Sequence, residues 1–190
     1  MSPTACSNAE GKFFQDVTTA GGFGHLQKGH AVAFADLDND GDQDVFIVLG
    51  GAYPGDRARS ALFLNPGNRN HWITLKLEGT KSNRIAIGAR IKLTVATARG
   101  PRFIYKTVNS GGSFGSSPLR QEIGVGDATA ITSVEIFWPA SGLHQTLSGF
   151  MLDHAYRIRE DNPQPIGWAL KRIEFDLKAQ HPISHMRAGQ

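Results

Sequence analysis

HWITLKLEG, residues 71–79, alternates apolar and polar side chains with a period of two. On an extended chain Ile73, Leu75 and Leu77 share one face, and Trp72, Thr74 and Lys76 share the other. That period marks a strand with one buried face, because a helix would repeat near every 3.6 residues. GARIKLTVAT, residues 88–97, repeats the pattern, with Ala89, Ile91, Leu93 and Val95 inward and Arg90, Lys92 and Thr94 towards water. PRFIYKTV, TSVEIFWP and HAYRIRE read the same way, each bounded by Gly, Pro, Asn or Ser. The gaps between these strands are too short for crossover helices. The expectation is therefore an all-β protein built as an antiparallel sandwich or barrel.

Composition agrees with a folded chain. Of 190 residues, 40% are apolar and 19% charged, which argues against wholesale disorder. No apolar run approaches the roughly 18 residues of a membrane span. The longest, from Val45 to Tyr53, already holds two glycines, so no span is expected. The opening MSPTACSNAEGK lacks a basic and an apolar region, so it encodes no signal peptide, although Met1 need not be the natural start. Cys6 is the single cysteine and leaves the redox compartment open. Residues 1–70 carry 5 Lys and Arg against 8 Asp and Glu, and residues 71–190 carry 15 against 9. The excess base is scattered along strands without forming a run, the pattern of a solvated surface, so no nucleic-acid partner is expected.

The strongest chemistry lies in DLDNDGDQD, residues 36–44, between the apolar flanks HAVAFA and VFIVL. Asp36, Asp38, Asp40 and Asp44 stand at loop positions 1, 3, 5 and 9, and Gly41 follows the third of them, where a loop wrapping a cation must turn sharply. Such carboxylates repel one another unless a cation neutralises them. Hard oxygen donors at alternate positions suit Ca²⁺, and the backbone carbonyl of Asp42, at position 7, offers one more ligand while its side chain faces solvent. An EF-hand does not fit. Position 12 is Ile47 where a bidentate Glu is required, and the flanks are strand-forming.

FFQDVTTAGG, HAVAFADLDNDGDQDVFIV and ALFLNPGN together resemble one FG-GAP or VCBS repeat, a blade of the β-propeller found in integrin α chains and many exported bacterial proteins. From His71 onward, NHWITLKLEGTKSNRIAIGARIKLTV, SGGSFGSSPLRQEIGVG and VEIFWPASGLHQTL resemble the ASPIC/UnbV domain of the cartilage acidic protein and UnbV-like family, where it follows such repeats. The resemblance implies side-chain Ca²⁺ ligation by Asp36, Asp38, Asp40 and Asp44, carbonyl ligation by Asp42, no catalytic residue, and an extracellular or periplasmic location. Two departures stand out: Ile123-Gly124-Val125-Gly126 replaces FGLG, and Ala140 is inserted into a WPSG turn at Trp138, Pro139, Ser141 and Gly142. The chain then divides into a flexible N-terminus (1–12), a propeller-type repeat hairpin (13–68), an antiparallel β-sandwich domain (69–160) and a C-terminal tail (161–190). In that tail RIEFDLKA is a weak strand candidate with Ile173, Phe175 and Leu177 on one side, and HPISHMRAGQ is expected to be disordered.

A closed propeller needs about four to eight blades, and the chain shows one acidic loop. Either it is the C-terminal piece of a longer protein, the reading favoured here, or the lone repeat packs against the second domain as an extra hairpin. An exposed blade edge would favour self-association.

Other motifs carry less. Gly111-Gly112-Ser113-Phe114-Gly115 has the G-x-S-x-G form of a nucleophile elbow, but Pro118 and two glycines follow where a helix is needed, and no spacing supports His144, Asp153 or His154 as partners. His181 and His185 are four apart with Pro182 between them, which argues against a helical metal pair. Trp72 and Trp138 call for packing, with an exposed stacking platform for a sugar ring as the alternative. The functional expectation is a calcium-binding, non-catalytic adhesion-type or scaffold module with a protein or carbohydrate partner. The runner-up is an accessory component of an enzyme system in secondary metabolism or polysaccharide processing.

Overall fold

The computed structural model describes residues 6–9, 12–24, 28–51, 54–55, 59–112 and 115–175, the side chains of residues 8 and 9 excepted. Leu177, Ser113, His181 and His185 lie outside them. Among the described residues there are strands and turns and no helix, as the alternating pattern requires. A hairpin of β1 (Cys6–Ala9) and β2 (Phe13–Asp16) precedes a three-stranded antiparallel sheet of β3 (Gly29–Ala35), β4 (Asp44–Leu49) and β5 (Ala61–Phe63).

The remaining strands are β6 (His71–Glu78), β7 (Arg90–Thr97), β8 (Gly100–Thr107), β9 (Gln121–Gly126), β10 (Ala130–Trp138), β11 (Leu143–Leu147), β12 (His154–Arg159) and β13 (Ile166–Gly167). They form two four-stranded sheets, ordered β11-β10-β7-β8 and β13-β12-β6-β9. Side chains from the two inner faces interdigitate into one core. Ile91, Leu93, Val95, Val134 and Ile136 come from the first sheet and Ile73, Leu75, Leu77, Ile123, Val125 and Ile158 from the second. With Ala89, which is buried beside them, these include the inward sets expected for residues 71–79 and 88–97. Trp138 is wholly buried and its indole N–H donates to Gln145 Oε1 at 2.9 Å, so it is a core residue and no platform.

One pairing departs from the antiparallel pattern. β12 lies parallel to β6, with His154 opposite Ile73 and Arg159 opposite Glu78. No helix makes the crossover; the chain between the two strands builds the opposite sheet and the edge strand β9 on its way. The outer face of β6 also departs from the simple reading. Thr74 is buried there, because neighbouring elements cover the face that alternation assigned to water.

The loop after β6 is a tight nest. Backbone N–H groups of Thr80, Lys81 and Ser82 all donate to Glu160 Oε2, at 2.7, 2.8 and 2.8 Å. Ser82 Oγ and Ser141 Oγ donate to Glu160 Oε1 at 2.8 and 2.5 Å. Ser141 belongs to the turn with the inserted Ala140, which closes by a bond from Gly142 N to Trp138 O at 2.8 Å. The carboxylate ties the end of β12 to two loops of the sandwich. Burial pushes the Glu160 carboxyl up, but these donors outweigh it and hold it down, from 4.5 to about 2.

Gly115, at the end of the G-x-S-x-G motif, lies against β3. A Cβ on Gly115 would meet the Val32 carbonyl oxygen at 2.1 Å, so backbone touches backbone there and covers part of the β3 edge. Residues 171–175 form no strand, and Ile173 and Phe175 are exposed. The segment runs instead as a strap onto the acidic loop, where Ile173 N donates to Asp38 O at 2.7 Å.

Candidate metal centre

The acidic loop joins β3 to β4 and is shaped by its own carboxylates. Asp36 Oδ1 accepts from Asp40 N at 3.0 Å and Asp36 Oδ2 from Gly41 N at 3.2 Å. Asp38 Oδ1 accepts from Asp40 N at 3.3 Å, and Asp40 Oδ1 from Asp42 N at 3.0 Å. These bonds bend the backbone through left-handed conformations at Asn39 (φ 59°) and Gly41 (φ 99°). One carboxylate oxygen each from Asp36, Asp38 and Asp40 then lies within 4.8 Å of the other two.

Asp44 and Asp42 are placed differently. Asp44 is buried, and its two oxygens accept from Leu37 N at 3.0 Å and Asn65 N at 2.8 Å, which fastens both ends of the loop to the start of the next connection. The Asp42 side chain turns away from the triangle and accepts from Asn68 Nδ2 at 2.9 Å. The structure thus gathers three of the five aspartates by their side chains.

Electrostatics make the triangle a site of unbalanced charge. Burial pushes the Asp36 carboxyl up to about 6, against the pull of its backbone donors and of the Arg120 guanidinium. Asp38 is also raised, by burial first and then by the charges of Asp40 and Asp44. A hard divalent cation would relieve both effects, and a donor set made only of oxygen fits Ca²⁺ chemistry.

The loop is clamped on the sandwich by residues that local patterning did not single out. Glu122, buried on the outer face of β9, accepts from Asp36 N and Gln43 Nε2, both at 3.0 Å. Arg120 donates to Glu122 Oε1 at 2.7 Å, to Asn39 Oδ1 at 2.8 Å and to the Asp36 carbonyl. Gly41 packs on the indole of Trp72, close enough that a Cβ would lie 1.9 Å from Nε1. Trp72 is therefore a packing surface for the loop. The only local hint of the clamp was the R-x-E spacing, which places Arg120 and Glu122 on one face of an extended chain.

The clamp residues Arg120 and Glu122 fall within a recognisable segment. Residues 79–165 match the family model described as ASPIC and UnbV. The ASPIC/UnbV match begins at Gly79, at the end of β6, and carries the chain through β12. It agrees with the resemblance drawn from the motifs there and takes in Ser141 and Glu160 as well; residues 13–68 lie outside it. No curated protein matches the chain. No helix among the described residues is long and apolar enough to cross a membrane.

His144, His154 and Asp153, which no spacing links to the G-x-S-x-G motif, are engaged elsewhere. His144 stacks on Phe137 with ring centroids 4.7 Å apart, and His154 Nδ1 lies 2.7 Å from Leu152 O. Asp153 Oδ2 is 2.7 Å from His71 Nδ1.

Proposed function

We propose that the chain is a calcium-binding, non-catalytic module of the adhesion or scaffold type, and that residues 13–68 are one FG-GAP/VCBS repeat of a longer, exported β-propeller protein. The observation that carries this reading is the triangle of Asp36, Asp38 and Asp40 oxygens in a loop clamped on the sandwich. Asp36, Asp38 and Asp40 would hold Ca²⁺ through side chains and Asp42 through its carbonyl. Asp44 keeps a lone pair on each oxygen beyond its backbone bonds. The cation would cancel the carboxylate repulsion and so stiffen the frame on which binding surfaces sit. Apolar exposure supports the repeat reading. Val32 and Phe34 lie on one face of the three-stranded sheet and Phe46, Val48 and Leu62 on the other, all exposed, as in a blade with neighbours on both sides.

Thermal unfolding with Ca²⁺ and with a chelator tests this. Binding confined to the folded state contributes about 2.7 kcal/mol at a free concentration 100-fold above Kd. The expected result is a higher Tm in Ca²⁺ than in Mg²⁺, with the shift and the calorimetric binding lost in Asp40→Ala. Equal Tm values, or undiminished Ca²⁺ affinity in Asp40→Ala, would overturn the metal assignment.

A further inference from the structure

Beside the acidic loop, between it and the ASPIC/UnbV sandwich, lies a cleft of about 550 Å³. From the chemistry of its walls we infer that it binds a neutral saccharide; the inference deepens the binding-module reading and rests on it. The lining includes Asn65, Asn68, Asn70, His71, Trp72 and Arg102.

Three observations carry the inference. The first is the floor. Trp72 pairs with Gly124 across β6 and β9, and a Cβ built on Gly124 meets nothing within 4 Å. An open patch of bare backbone therefore lies in the cleft beside an indole, which leaves room for the flat face of a pyranose ring.

The second is the set of unused polar groups. Asn70 binds Asn68 Oδ1 through its backbone N–H, and its side-chain amide makes no bond among the described residues. His71 engages Asp153 through Nδ1, so Nε2 remains for a ligand. Arg102 spends Nη2 on the Val125 carbonyl and keeps other N–H donors. An amide offers a donor and an acceptor together, which matches hydroxyl groups that do both.

The third is charge. Arg102 and Asp42 both line the cleft with opposite sign, while the Glu122 carboxylate is taken up by Arg120. Arg102 is itself paired with Asp127 at 3.8 Å and Asp42 accepts from Asn68, so each of these charges already has a partner, and a neutral polyhydroxylated ligand fits better than a phosphate or a polycation.

The test is titration of the chain, in saturating Ca²⁺, against labelled neutral trisaccharides of glucose, galactose, mannose and N-acetylglucosamine, with a sulfated and a uronate trisaccharide beside them. We expect at least one neutral trisaccharide to bind with Kd below about 1 mM. The Cβ position of Gly124 is open, so Gly124→Leu should fold, keep the Ca²⁺-dependent Tm shift and lose at least tenfold in saccharide affinity. Asn70→Ala should lose several-fold. The inference is overturned by no binding of any neutral trisaccharide, by binding that Gly124→Leu leaves intact, or by preference for the sulfated or uronate probe. A Ca²⁺ shift without saccharide binding removes the cleft assignment alone. Saccharide binding lost in Gly124→Leu without any Ca²⁺ shift removes the metal assignment and leaves the cleft.

Discussion

Gly41 is where two demands meet in one residue. Its φ of 99° is costly for any side chain, and its missing Cβ makes room for the Trp72 indole. Gly51 has a similar φ of 79° but faces open space. Gly51→Ala should therefore cost only the backbone strain of about 1–3 kcal/mol. Gly41→Ala should cost clearly more, because the loop must also leave the indole; denaturant unfolding of the two variants measures the difference. Glu160 makes a second prediction at this scale. Its carboxyl is held down from 4.5 to about 2 in the folded chain, so the folded state binds fewer protons than the unfolded one between those values. The stabilisation is fully present above pH 4.5 and is lost as pH falls towards 2. Unfolding measured across that range should show stability falling with acid in the native chain and a flatter profile in Glu160→Gln.

At the scale of elements, the acidic loop is held from two sides. The sandwich clamps it through Arg120 and Glu122, and the strap holds it through Ile173 N and through Asn39 Nδ2, which donates to Lys171 O at 2.9 Å. Arg172 Nη2 reaches Asp40 Oδ2 at 3.4 Å, an exposed guanidinium beside a proposed ligand. Arg172 and a bound cation would compete for that oxygen. Exposed ion pairs are worth about 0–1 kcal/mol, so Arg172→Gln should tighten Ca²⁺ binding by up to about fivefold. Titration calorimetry at low and high salt would show the gain shrinking as screening rises. Loop spacing alone made the carboxylates legible, because their order follows from four short i, i+2 steps. It did not separate Asp44, whose oxygens are claimed by Leu37 N and Asn65 N, since one of those donors lies in a later connection.

For the whole molecule, alternation was enough to find the sandwich, because residues such as Leu75 and Leu93 are buried by the period of their own strand. What it missed depends on distant parts of the chain. Thr74 is buried though its position reads as exposed, and Glu122 is buried though it is charged, because both lie on the outer face of the sheet against which the loop docks. Tyr105 and Phe103 are the converse case. Large and aromatic, they are 70% and 51% exposed on β8, an edge strand, while Ile104 between them packs against the core. The strap was equally hidden, since its bonds to the loop span more than two thirds of the chain and leave no local periodicity.

The parallel pairing of β6 with β12 has a consequence in time. β6 is made early, but the neighbour that completes its sheet arrives only with His154–Arg159. Until then the nascent chain carries a sheet with one side unfilled, and the entropy of closing so long a loop is met before any contact rewards it. Refolding should therefore be slow for a chain of this length. A ribosome paused before residue 154 would hold a sandwich that cannot yet close.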